Sequence, residues 1–245
     1  MPRHRREAFL VTAVEIVEEL RQLGKEGYKK ILLNHGVPEP LFGVSVAEMK
    51  KIQKRIKKDY QLALDLHDTG IYEAMYLAGL ISDDAKMTKK DLRSWAAKTK
   101  GNPLCGFAVV WVAAESRYGW ELATEWIESK KESLVVFGWA TLSSLVGITD
   151  DADLDLPQLK KLIGVVQKTI HKQPDRVRYM MNGFLIAVAA YVKSLTDIAL
   201  QAAEKIGEVK VDMGKTSCKV PFAPDYIRKI IDRGTVGKKR KTCKC

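Results

Sequence analysis

The sequence predicts an all-α chain of stacked helix pairs, an α-solenoid followed by a short irregular C-terminal extension. Three observations carry this. Apolar residues recur at three- and four-residue spacing almost throughout. Only Val209–Gly214 reads as extended. Short helices are joined by two- to five-residue breaks at intervals of about 35–45 residues, the rhythm of units that bury their apolar faces only by stacking on neighbours. A plain helical bundle is the alternative architecture.

Taken in order, Phe9, Leu10, Ala13, Ile16, Val17, Leu20 and Leu23 mark a first helix ending at Gly24. Ser45-x-x-Glu48 is a capping box opening a helix to about Lys57. Tyr60–His67 and Ile71–Ile81 form a pair divided by Thr69-Gly70. Thr88-x-x-Asp91 opens a helix to about Lys98, broken by Gly101-Asn102-Pro103. Leu104–Glu115, Trp120–Ser129 and Ser133–Val146 follow. Pro157 sits at a first-turn position of a helix to about His171. Beyond Pro174 come Val177–Leu195, Thr196–Ile206 and a last short helix, Ala223–Ile231. From Gly234 onward the chain reads as basic and mobile. The expected organisation is a helical-repeat domain over residues 1–207 and a basic extension over 208–245.

The 245 residues carry a net charge of +11, are 46% hydrophobic and include only 4 Cys, which excludes a disordered chain and a disulfide scaffold. The charge is localised. Residues 208–245 hold +7 and residues 1–6 hold +3, so the body is nearly neutral. Within it Lys50, Lys51, Lys54, Arg55, Lys57 and Lys58 form one cluster, and Lys86, Lys89, Lys90, Arg93, Lys98 and Lys100 a second. Residues 101–155 are instead net −6. Cationic runs attract polyanions whatever the fold, although a single lysine run is also what a solvated helix face looks like. The candidate polyanion contacts are therefore Lys50, Lys51, Lys54, Arg55, Lys57, Lys58, Lys89, Lys90, Arg93 and, in the tail, Lys238, Lys239, Arg240 and Lys241. The tail could equally pair with the acidic 101–155 region.

The longest apolar run, Leu104–Ala114, is far short of the roughly 20 residues that span a bilayer. Sparse cysteines point to a reducing, cytoplasmic setting without a membrane partner. His4, His35, His67 and His171 are isolated, and Cys218 with Cys243-x-Cys245 fits no common zinc module, so neither metal nor cofactor is expected. No glycine-rich phosphate loop follows a strand.

Several stretches resemble the AlkD-like DNA alkylation repair family, alkylpurine DNA glycosylases built from HEAT-like repeats. They are Phe42-Gly-Val-Ser-Val-Ala-Glu-Met-Lys, Leu62-Ala-Leu-Asp-Leu-His-Asp-Thr-Gly-Ile-Tyr-Glu-Ala, Leu77-Ala-Gly-Leu-Ile-Ser-Asp, Met87-Thr-Lys-Lys-Asp-Leu-Arg-Ser-Trp and Trp126-Ile-Glu-Ser. The resemblance implies a right-handed solenoid whose concave face cradles duplex DNA. It also implies release of N3- or N7-alkylated purines without metal or organic cofactor. That chemistry needs a carboxylate near the sugar and aromatic faces over the lesion, since an oxocarbenium-like sugar must be stabilised.

The family's pocket residues do not carry over. Its Trp and Asp positions fall on Asn102 and Gly106, its Arg pair on Val135-Val136 and its later Trp on Gly183-Phe184. Trp111 with Glu115 has the required spacing but closes an apolar run, which favours core packing for Trp111. The expectation is a largely sequence-independent DNA-binding member of the family without base-excision activity. The alternatives are an active glycosylase using Trp111 and Glu115, and a protein-binding solenoid.

Overall fold

The computed structural model describes residues 11–99, 107–214, 216 and 218–244, and among these the regular structure is helical, with thirteen α-helices and no strand. The first five are α1 (Ala13–Leu23), α2 (Glu26–Asn34), α3 (Val46–Ile56), α4 (Tyr60–Asp68) and α5 (Tyr72–Ile81). Then come α6 (Lys89–Lys98), α7 (Phe107–Glu115), α8 (Gly119–Ile127) and α9 (Glu132–Ile148). The last four are α10 (Leu156–Thr169), α11 (Asp175–Tyr191), α12 (Thr196–Ile206) and α13 (Ala223–Asp232). Local chemistry starts many of them. Thr12 with Glu15 and Thr88 with Asp91 form reciprocal capping boxes. Ser45, Asp59 and Asp155 each accept a first-turn N–H, and Pro157 occupies the first turn of α10.

The helices stack in two rows. In the inner row, α5, α7, α9, α11 and α13 pack in succession. Every residue from Glu73 to Ile81 and from Ala108 to Ala114 is buried, because these helices are covered on nearly all sides. Close approach requires glycine at Gly79, where a Cβ would lie 2.7 Å from the Cβ of Ala108. The outer row of α4, α6, α8, α10 and α12 buries one face only, such as Leu159, Leu162, Ile163 and Val166 of α10. One core cluster runs from Ile16 to Cys243, and a small satellite of Leu32, Val37 and Leu41 lies beneath α2.

Two features depart from the sequence reading. The first is α2, which lacks a side-chain cap and contains Gly27, so its start carries no local signal. The second is the segment after Gly234, expected to be mobile but docked along its length. It runs back across the C-terminal ends of the inner helices in reverse order. The Gly237 N–H donates to Ala190 O of α11 at 2.8 Å, and the Arg240 N–H to Gly147 O of α9 at 2.7 Å. Cys243 reaches α7, its Sγ lying 3.5 Å from Trp111 O. Lys244 reaches past α5, its Nζ 2.7 Å from Asp84. Residues 237, 240 and 243 are three apart. An extended chain covers about 10 Å in three residues, close to the spacing of packed helices, so each step lands on the next helix end.

At the other end of the stack, the Glu73 carboxylate is fully buried. It accepts from the Phe42 N–H at 3.0 Å, Gly43 N–H at 2.7 Å and Val44 N–H at 3.2 Å. Gly43 sits at φ +81°, and a Cβ there would lie 2.4 Å from Lys25 O. This buried anion ties the α2–α3 loop to the inner row. Glu73→Ala leaves two buried donors and one partly buried donor unanswered and is expected to cost about 3–5 kcal/mol, read from urea unfolding, with Glu73→Gln losing less.

Candidate nucleic-acid interface

The residues that could have rebuilt a catalytic pocket are engaged in packing. Trp111 is 5% exposed, edge-on to Tyr76 at 5.2 Å and stacked with Phe107 at 5.8 Å. Glu115, the last residue of α7, accepts from the hydroxyl of Thr242 and from the Cys243 N–H at 2.9 Å. Burial raises its pKa, but these hydrogen bonds and the nearby charge of Lys244 outweigh burial and hold the carboxyl below its ordinary value. Glu115 therefore serves as an ionised anchor for the tail. Phe184 is fully buried against Trp139, with ring centres 5.1 Å apart. Val136 is buried and Val135 half-buried. Asn102, Gly106 and Lys100 lie outside the described residues.

The basic candidates divide into paired and unpaired groups. On α6, Lys89 contacts Glu121 at 2.5 Å and Arg93 contacts Glu125 through Nε at 3.1 Å, both partners on α8. Lys98 pairs with Asp68 and Lys86 with Asp83. The acidic stretch thus pairs with Lys89 and Arg93, while Asp68 and Asp83 take Lys98 and Lys86, leaving Lys90 exposed there. On α3, Arg55 forms a two-pronged pair with Glu19 of α1, and Lys51 pairs with Glu48. Lys50, Lys54 and Lys57 are exposed and have no ion-pair partner among the described residues, while Lys58 lies 3.7 Å from Asp84.

In the tail, Lys239 is turned inward. Its Nζ is 2.9 Å from Val146 O and 2.7 Å from Asp151. Lys244 contacts Ser82 and both oxygens of Asp84. Lys238, Arg240 and Lys241 point to solvent, with only the backbone of Arg240 bonded inward.

The first cluster and the tail meet. Lys54, Lys57, Lys58, Thr242 and Lys244 line an open groove of about 490 Å³, with Asp84 and Glu115 on its inner wall. Lys57 ends α3 at φ 67°, ψ −125°, a conformation that disfavours side-chain-bearing residues and stores roughly 1–3 kcal/mol. This convergence has no local sequence signal, because the two segments are separated by nearly the whole chain.

A second cavity, of about 390 Å³, lies at the other end of α5, between Pro38, Pro40, Tyr72 and the end of α4. His67 is 1% exposed there and stacks on Trp95 at 4.2 Å, and both ring nitrogens and Trp95 Nε1 have no hydrogen-bond partner among the described residues. Burial pushes the imidazole pKa down to about 3, so the ring is neutral. Among the described residues no group of three or more His, Cys, Asp or Glu side chains is placed to hold a metal, and no single helix is long and apolar enough to cross a membrane.

Two outcomes follow from these sites. The unfolded chain protonates His67 near pH 6.5 and the folded chain does so only near 3. Acidification through that window therefore favours unfolding, by about 1.4 kcal/mol per pH unit. His67→Phe keeps the stack and should flatten this slope in unfolding titrations between pH 6 and 4. Glu115→Ala removes the anchor for Thr242 and Cys243. Tryptic cleavage within residues 238–241 should accelerate at least about tenfold, and Tm should fall by about 2–4 °C for each kcal/mol lost. A tail that stays protected in this variant would show that Glu115 does not hold it.

The chain is similar to known proteins over nearly all its length. The uncharacterized proteins Lin0241 of Listeria innocua and Lmo0209 of Listeria monocytogenes are 31% and 30% identical over 230 residues, covering 91% of this chain and 99% of each relative. A solved structure superimposes with a TM-score of 0.87 at 35% identity, covering 96% of this chain and all of that one. It is described as representing a new family of proteins related to the HEAT-like repeat DNA glycosylases, with affinity for branched DNA structures. The helical stack is thus of the HEAT-like repeat kind. The sequence profile of DNA alkylation repair enzymes matches residues 16–218, and the chain belongs to that family.

Proposed function

We propose that this protein binds branched DNA through its phosphate backbone, largely without regard to base sequence, and does not excise bases. The observation that carries the second part is the state of the pocket positions. Phe184 is sealed in the core, two valines stand where the resembling glycosylases hold a phosphate-gripping arginine pair, and Glu115 is bound by the tail. A carboxylate with its oxygen filled by protein donors is poorly placed to stabilise a developing sugar cation.

The binding part is supported by the surplus positive charge and by the likeness to a solved protein with affinity for branched DNA. Unpaired surface lysines give contacts to phosphates rather than to base edges, hence little sequence preference. The reading includes a cytoplasmic, reducing setting, in keeping with a chain that holds only 4 Cys in 245 residues.

Titration of a labelled four-way junction and a linear duplex at several salt concentrations should show tighter binding to the junction. Log K should fall linearly with log salt by about 0.9 per phosphate contact. Alkylated DNA incubated with the protein should release no 7-methylguanine or 3-methyladenine above buffer. Base release, or binding indifferent to salt, would overturn the proposal.

A further inference from the structure

The inner-row C-termini form an edge that would be strongly negative if bare. Each helix C-terminus carries about half a negative charge. Asp84, Glu115 and Asp151 stand among the ends of α5, α7 and α9. The tail covers this edge with one set of residues and shows solvent another. Inward, Lys239 and Lys244 neutralise Asp151 and Asp84, and Cys243 fills the core. Outward, Lys238, Arg240 and Lys241 are exposed and unpaired among the described residues. The docked tail thereby converts an acidic edge into a cationic one.

Where the tail reaches α7 the cationic surface does not stop. Lys54, Lys57 and Lys58 continue it along the groove they share with Thr242 and Lys244. In contrast, Lys89 and Arg93 on the outer row face Glu121 and Glu125. A phosphodiester strand there would have to displace existing ion pairs, whereas Lys238, Arg240 and Lys241 on the tail have no ion-pair partner among the described residues.

Resting on the reading that this protein binds DNA, we propose that the phosphate backbone follows this edge, from Lys238 through Arg240 and Lys241 to Lys54 and Lys57. The edge is assembled by the docked C-terminal segment, most of which lies beyond the range matched by the family profile. The segment from 238 to 241 spans about 10 Å of extended chain, enough to meet two successive phosphates of one strand.

Three sets of glutamine substitutions test this, all at water-facing side chains: Lys238, Arg240 and Lys241 together; Lys54 and Lys57 together; and Lys89, Lys90 and Arg93 together. Binding of a labelled four-way junction is titrated between 50 and 200 mM salt. Each of the first two sets should lower affinity at least about tenfold at low salt and reduce the salt slope by about 0.9 per contact removed. The α6 set should leave the slope within about 0.5 of the parent. The inference fails if the α6 set weakens binding as much as the tail set, or if the tail set leaves the slope unchanged while the parent binds. Absence of salt-dependent binding by the parent would sink the broader DNA-binding reading and this path with it. Unchanged Tm in each set separates lost contacts from lost fold.

Discussion

The structure depends on what lies across the C-terminal ends of four parallel inner helices. Each end leaves carbonyls without intrahelical partners and concentrates partial negative charge. Helix stacking brings these ends side by side, where Asp84, Glu115 and Asp151 add full charges. A return segment carrying N–H donors and lysines resolves all of these at once. Gly237 and Arg240 supply donors to Ala190 and Gly147, Lys239 and Lys244 supply counter-charges, and Cys243 closes the core beneath them. No single bond of this set is worth more than about 1–3 kcal/mol. The segment stays docked because its three-residue repeat matches the helix spacing, so every contact is made without stretching another.

The same constraint sorts the charges. A chain with 41 basic and 30 acidic residues could have spread its surplus evenly. Instead the acids of α8 are paired with the bases of α6, making the outer row a network of ion pairs between neighbouring repeats. Exposed pairs of this kind stabilise little, about 0–1 kcal/mol each, so their main effect is to quench the local field. Among the described residues, unpaired exposed cations remain at the tail and at the end of α3, and also on α10, where Lys160, Lys161 and Lys168 face solvent. Net charge alone said only that a polyanion was a plausible partner. The pairing pattern says which cations are still available to one.

Most helices were legible because their signals are local. Thr88 and Asp91 cap within one turn, Pro157 pre-sets a first turn, and the apolar spacing of α10 marks its buried face. The family resemblance was legible for a related reason, since Phe42-Gly-Val and Tyr72-Glu73 are the two halves of the buried carboxylate nest, although nothing in the string shows that they touch. The tail is docked and not mobile, and the alternative that it pairs with the acidic 101–155 region is met at Asp151 and Glu115; its partners are 47 to 162 residues away, and a basic run with few apolar residues looks the same whether it is solvated or anchored. Glu115 was singled out by its spacing from Trp111, yet its partner is Cys243, which no spacing argument connects to it. Of the candidate contacts, Arg55, Lys89 and Arg93 were indistinguishable in sequence from Lys54 and Lys57; only the positions of Glu19, Glu121 and Glu125 in space separate them.

Cys243 has a consequence of a different kind. Burial and the adjacent Glu115 carboxylate both raise its pKa, so in the docked state the thiol is shielded and protonated. Released, it would be an ordinary surface cysteine like Cys218 in the same chain. The rate at which an alkylating reagent modifies Cys243 relative to Cys218 therefore measures how often the segment lifts from the helix ends. The protein carries its own chemical clock for the opening of that edge, together with an internal standard against which to read it.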